Sequence, residues 1–169
     1  PVTMSDSSGF IHDPEGIDRA KLAWIMDLKN NRRGRISEYA AEYSSATFTP
    51  SAPEPSSNGL WGVNVDVALP CATQNEVNGA EAQMLVDNNV MAVAEGANMP
   101  CTPEAVEVFQ KNGIMFAPGK ASNAGGVATS GLEMSQNSLR YGWTREEVDA
   151  KLDNIMVNIH KNAAETAEK

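Results

Sequence analysis

Cysteine is scarce in this chain of 169 residues: Cys71 and Cys101 stand far apart, with no CxxC pair and no Cys/His cluster. Neither a disulfide framework nor a zinc site is indicated, and both residues read as reduced, buried thiols. Histidine is equally sparse. His12 falls in an expected turn and His160 on an expected surface helix, and no nucleophile motif such as GxSxG accompanies them, so both read as solvated imidazoles. Cations are outnumbered, 13 Lys and Arg against 22 Asp and Glu, for a formal charge of −9. That balance opposes a nucleic-acid or anionic-membrane partner, since both are held mainly through Lys and Arg. No apolar run approaches the length of a membrane span, and no basic-then-apolar leader opens the sequence, which makes the cytoplasm the expected location. Two phosphate-binding signatures are missing as well. There is no GxGxxG turn, and the Walker spacing fails: Gly113 and Gly119 enclose five residues, and Lys120 is followed by Ala121 where a magnesium-ligating Ser or Thr is needed.

What remains is an ordinary globular composition, 41% hydrophobic and 21% charged, suited to one domain with a substantial core. Val2-Thr3-Met4 reads as the end of a strand whose beginning is absent, so the chain is expected to start mid-domain. Asp13-Pro14 reads as a helix N-cap followed by proline, ahead of an apolar stripe of Leu22, Ile25 and Met26. A short helix is expected over Ile36 to Tyr43, and the Pro, Ser and Gly of Thr49 to Gly62 read as a long surface loop. Beyond it, apolar runs Val65 to Leu69, Val90 to Ala94 and Ile114 to Ala117 alternate with helical stretches Ala80 to Asp87 and Pro103 to Gln110. This alternation predicts an α/β fold with a parallel sheet. Runs that are continuously apolar further predict helices on both faces. The last helix opens on a capping box, Thr144-x-x-Glu147, and carries Val148, Leu152, Ile155 and Ile159 on one face.

Ligands of such sheets bind beyond the C-terminal ends of the strands. Those ends read "SDSSG", "PCATQN", "EGANMP" and "PGKASNAGG", all polar and rich in Gly or Asn. Four such ends on one edge point to a single site for a small ligand. Gly125 and Gly126 allow a second reading, a helix packed closely on a strand.

The segments "ALPCATQNEV", "VAEGANMPCTPEA", "APGKASNAGGVATSGLEMSQNS" and "WTREEVDAKL" together closely resemble the C-terminal half of hexameric glutamate dehydrogenases, in the Glu/Leu/Phe/Val dehydrogenase superfamily. The resemblance runs from "SDSSG" onward and is weakest over Pro50 to Ser57. It implies that residues 1–169 are a partial C-terminal NAD(P)-binding domain, a Rossmann-like sheet lacking its first βα unit and final helix. The N-terminal domain, which carries the catalytic Lys and Asp, is implied to lie outside this chain. The implied reaction is reversible conversion of L-glutamate to 2-oxoglutarate and ammonium in a homohexamer, the alternatives being another amino-acid dehydrogenase of the Leu/Phe/Val type or a nucleotide-binding module without catalysis. By the same resemblance, Asn98, Asn123 and the backbone of Cys71, Ala72 and Thr73 border the nicotinamide end of the cofactor. The resemblance further implies that Gly125 and Gly126 keep side chains off the reacting ring and that Val127 and Ser130 contact glutamate, although Ser130 also reads as a helix serine bonded to its own backbone.

Cofactor choice divides the two lines of reasoning. An acid ending the second strand, here Asp6, normally binds the ribose 2′-hydroxyl of NAD and repels a 2′-phosphate. Yet "SDSSG" is similar to the NADP-using bacterial members, with Ser5 and Ser7 as hydroxyl donors and Lys29, Arg32 and Arg35 as nearby cations. A phosphate wants both, so NADP is expected before NAD. The same cations also suit a solvated helix end.

Overall fold

In a computed structural model, which describes residues 1–52 and 59–168, the chain builds two three-stranded sheets, each with its own core. The first is antiparallel. β1 (Thr3–Asp6) turns through Ser7 and Ser8 into β2 (Gly9–His12), and β3 (Thr47–Pro50) pairs with the other edge of β2. "SDSSG" is therefore a two-residue hairpin turn and not a strand-to-helix turn. Gly9 is required there: its φ is 148°, and a Cβ would run into the Thr49 carbonyl. His12, expected in a turn, is the last residue of β2, paired with Thr3 and Thr47. The expected loop from Thr49 overlaps β3, lies partly outside the described residues, and ends in a single 3-10 turn, Leu60–Gly62.

α1 (Arg19–Asp27), a π-helical turn at Leu28–Arg32 and α2 (Ser37–Glu42) accompany this sheet, and Ile25, Ile36 and Tyr39 pack with Ile11 and Ile17 in its core. The Trp24 ring meets Tyr39 and Tyr43 edge-on, at 5.9 and 5.8 Å. The N-cap of α1 is Asp18, which accepts from Lys21 N, and not Asp13. Asp13 is fully buried and receives the Tyr39 hydroxyl and the Lys21 ammonium, both at 2.7 Å. A proline after an acid marks a helix start only when the chain turns helical at once. Here residues 14–17 form a loop, tied down by Ile17 N donating to Pro1 O. The helix is thus rotated from the predicted stripe: Ile25 points inward with Leu28, while Leu22 and Met26 are exposed.

The second sheet matches the predicted alternation. β4 (Val67–Ala68), β5 (Ala92–Ala94) and β6 (Met115–Ala117) are parallel in that order, joined through α3 (Gly79–Asp87) and α4 (Pro103–Lys111). Asn78 and Glu81 form a capping box on α3, and Thr102 caps α4 with Pro103 at its first position. The register row Ala68–Val93–Phe116 faces Ala82 and Leu85 of α3 and Ala105 and Phe109 of α4. On the opposite row Val67 is half exposed and Met115 is 75% exposed. The helices of the described residues therefore cover one face of this sheet, because both crossovers run on the same side, whereas the apolar runs predicted cover on two. α5 (Gly119–Ser122) leads into α6 (Ala124–Leu139) and α7 (Arg145–Ala167), an antiparallel pair that opens α7 on the predicted Thr144/Glu147 box. Val148, Leu152, Ile155 and Ile159 are its half-buried face. Among the described residues no helix is long and apolar enough to cross a membrane.

Candidate functional site

Three of the four polar strand ends are stitched into one rim. After β4, the Pro70 carbonyl accepts from Gly96 N and Ala97 N at 2.9 and 3.1 Å. Asn75 N and Val77 N donate to Met99 O and Pro100 O, and Thr102 N returns a bond to Val77 O. "PCATQN" and "EGANMP" are thus laced together by their backbones. Cys71 is exposed, not buried as expected, because it sits on this rim, while Cys101 is buried behind it. Burial, and then the negative charge of Glu95, push the Cys101 thiol up to about 12, so it is inert near neutrality.

The third loop joins through side chains. Asn123 donates its amide to Ala97 O at 2.6 Å, and the Ser122 hydroxyl donates to Glu95 O at 2.6 Å. The Glu95 carboxylate is buried, and its two oxygens accept Cys101 N at 3.2 Å and Gly119 N at 2.6 Å. Gly119 permits this approach, since a Cβ there would stand 2.7 Å from the Asn123 amide and 3.2 Å from Glu95 Oε2. The tight glycine of this stretch is therefore Gly119. Gly125 and Gly126 have ordinary room: a Cβ at 125 would meet Met156 at 3.8 Å, and one at 126 nothing within 4 Å. Asn98 crowns the rim, exposed, with no side-chain hydrogen bond among the described residues, and the next residue, Met99, has a φ of 50°.

The fourth end, "SDSSG", belongs to the other sheet and faces the rim across a cleft of about 880 Å³. Asp6, Ser5 and Lys29 line one side of it, and Cys71, Ala72 and Val67 the other. Every lone-pair direction of Asp6 is taken. Oδ1 accepts Ser8 N and the Ser8 hydroxyl at 2.8 and 2.6 Å, and Oδ2 accepts Lys29 Nζ and Ile36 N at 2.7 and 3.0 Å. Partial burial works to raise the pKa of Asp6, but these donors, Lys29 foremost, overcome it and hold the carboxyl far below the usual range. Beside it, Arg35 donates to the Ser7 hydroxyl at 2.7 Å. Arg32 is engaged elsewhere: it pairs with Asp27 at 3.0 Å and lies over the Trp24 ring at 4.5 Å.

Thr73 is exposed on the "PCATQN" loop. Val127, 80% exposed, and Ser130 lie on α6, and the Ser130 hydroxyl leans on Gly126 O at 3.4 Å, the long bond of a helix serine. Sequence reasoning placed Glu95, Gly119 and Ser122 within the polar strand ends but did not single them out as the residues that tie the rim together. One signal was available: a carboxylate directly after the apolar run of β5, at a strand end that should face its ligand edge.

The fold is thus α/β with a parallel sheet, and its laced polar rim and the cleft beside it lie at the C-terminal strand ends, the edge at which sheets of this class take their ligands. The sequence profile of the Glutamate/Leucine/Phenylalanine/Valine dehydrogenase family matches residues 1–169, and the chain belongs to that family. It is 60% identical over 162 residues to the NAD(P)-specific glutamate dehydrogenase of Xylanibacter ruminicola, covering 96% of this chain and 35% of that protein. With the NADP-specific glutamate dehydrogenase of Escherichia coli (strain K12) it shares 51% identity over 164 residues, 97% of this chain and 35% of that one. The crystal structure of Plasmodium falciparum glutamate dehydrogenase superimposes with a TM-score of 0.84 at 46% identity, over 98% of this chain and 34% of that one. The chain thus spans about a third of the length of the relatives it matches.

Proposed function

We propose that the chain is a partial C-terminal NAD(P)-binding domain of a glutamate dehydrogenase that works with NADP. The observation that carries this reading is the cleft, lined by Asp6 and Lys29 of the hairpin side and by Cys71 and Ala72 of the laced rim. NAD is favoured by a carboxylate free to accept ribose hydroxyls, and Asp6 has no acceptor position left. An outward Arg–Ser pair suits a 2′-phosphate instead. Relatives named for either cofactor exist, among them the NAD-specific glutamate dehydrogenase of Bacteroides fragilis, so the local geometry supports NADP more directly than the names do.

Bound here, NADP would supply the hydride acceptor for interconversion of glutamate with 2-oxoglutarate and ammonium. This chain's residues bind and orient: Asn98 and Asn123 at the carboxamide end, the Cys71–Thr73 backbone along the ribose, and Val127 and Ser130 toward glutamate on α6. An amide side chain matches a carboxamide because each is both donor and acceptor. Lys29 acts on the phosphate end through Asp6, whose charge it neutralises.

The open edges support the partial-domain reading. β1 and β4 are both edge strands, and both line the same cleft. A further strand supplied by the parent protein would pair with them and join the two sheets into one Rossmann-like sheet. Homohexameric assembly and residence in the cytoplasm belong to the same reading.

The test is steady-state kinetics and cofactor titration with the full-length parent enzyme. Glutamate-dependent reduction of NADP in preference to NAD is expected. A preference for NAD overturns the cofactor assignment, and a preference for leucine or phenylalanine overturns the substrate.

A further inference from the structure

We infer that Glu95 is a positioning residue for the nicotinamide end of the site: its buried carboxylate clasps the loop that carries Asn98 to the loop that carries Asn123. The inference rests on the cofactor-binding reading above.

The clasp is built from one side chain with two arms. Oε1 accepts from Cys101 N and so closes the 95–101 loop across its base, with Asn98 at its crown. Oε2 reaches across to Gly119 N, the start of the turn that ends at Asn123. The backbone of Glu95 adds a second pair of ties, its N–H donating to Ala117 O at 3.1 Å and its carbonyl accepting the Ser122 hydroxyl. Among the described residues no Lys, Arg or His pairs with it. A buried carboxylate costs stability unless its oxygens are satisfied, and here backbone N–H groups satisfy them. That cost is consistent with a geometric task, because an apolar side chain would fill the same space without holding either loop.

Two further features point the same way. Met99 holds a left-handed backbone, a conformation that persists only where its surroundings impose it. Asn123, through its amide on Ala97 O, is linked to the residue preceding Asn98. The separation of the two asparagines is therefore set by contacts that converge on Glu95 and Gly119.

Glutamine at position 95 keeps the shape but has one carbonyl oxygen and one NH₂, so one of the two backbone N–H groups would face a donor. The experiment uses Glu95→Gln and Gly119→Ala in the full-length parent enzyme, with NADPH and 2′-AMP as probes. 2′-AMP carries the adenosine phosphate end and no nicotinamide. Loss of one bond to a charged acceptor corresponds to about tenfold or more in affinity. NADPH binding is expected to weaken by about that factor in both variants, kcat to fall with it, and 2′-AMP affinity to stay within about twofold of the unaltered enzyme. Equal losses for both probes, or no loss for either, would overturn the positioning role. If the unaltered enzyme binds neither probe, the cofactor reading itself fails. Should one variant not fold, the other decides, and failure of both to fold would refute a role confined to positioning.

Discussion

The Lys29 ammonium lies 2.7 Å from Asp6 Oδ2, and with Ser8 and Ile36 it uses up what that carboxylate could offer a ribose. An acid in the position that ordinarily selects NAD is thus converted into a neutralised anchor for the hairpin. Beside it at the surface, Arg35 is held against Ser7.

From this arrangement, Arg35→Ala in the full-length enzyme is expected to weaken NADPH by about tenfold, since a charge-assisted bond to phosphate contributes roughly 1.5–3 kcal/mol and less when solvated. NADH should change little, and Arg32→Ala should leave both cofactors nearly unaffected because its partners are Asp27 and Trp24. Lys29→Ala exposes the Asp6 charge and should also penalise NADPH selectively. Fluorescence titration with both cofactors checks all three variants, and equal losses for NADPH and NADH would remove this patch from the phosphate site.

Ser130→Ala tests the substrate face. If the hydroxyl reaches the side-chain carboxylate of glutamate, its loss should raise the KM for glutamate roughly tenfold to a hundredfold with little change in maximal rate. Norvaline, without that carboxylate, should be penalised much less. The 3.4 Å contact to Gly126 O describes the alternative, a helix serine whose loss affects both substrates alike. An unchanged glutamate-to-norvaline ratio would remove Ser130 from the site.

Asp13 predicts acid sensitivity. Burial alone would raise its pKa, but Lys21, Tyr39 and Ser45 hold the ionised form down to about 2. A carboxylate depressed in the folded state stabilises above its unfolded value, near 3.9, and that contribution fades as pH falls from there through 2. Chemical denaturation between neutrality and pH 2 should show this loss. Asp13→Ala should destabilise by on the order of 3 kcal/mol at neutral pH, because it strands Lys21 and the buried Tyr39 hydroxyl. The variant should also show a weaker pH dependence across that window. A variant as acid-sensitive as the parent would place the responsible carboxylate elsewhere.

The capping box on α3 offers a local control. Asn78 Oδ1 accepts from Ala80 N and Glu81 N at 2.9 and 3.0 Å. Asn78→Ala should cost about 1 kcal/mol in thermal or denaturant unfolding, without altering cofactor preference. A much larger loss would mean that this loop holds more than the helix start.

Strands β4 to β6 and helices α3, α4 and α7 were legible because each carries its own local signal. Strands β4 to β6 are short apolar runs between helices that open on Asn78, Thr102 and Thr144, and a cap is a bond between neighbours in sequence. The N-terminal sheet was not legible. "SDSSG" is compatible with a βα turn or a hairpin, and only pairing with Phe10 and, through β2, with Thr49 selects the hairpin. Asp13 failed for a similar reason: an acid before proline looks the same whether it caps a helix or receives Tyr39 from a distant part of the chain.

The same division runs through the site. Sequence alone determined that polar, Gly-rich and Asn-rich segments end each parallel strand, because the alternation of strand and helix places those ends together whatever the details. It also determined the family, through long ordered motifs. Only the tertiary structure decided how Lys29, Arg32 and Arg35 divide their partners, and that Glu95 spans from Cys101 to Gly119. Partner choice among like charges depends on distances of a few ångströms between residues far apart in the chain, and no local pattern records such distances.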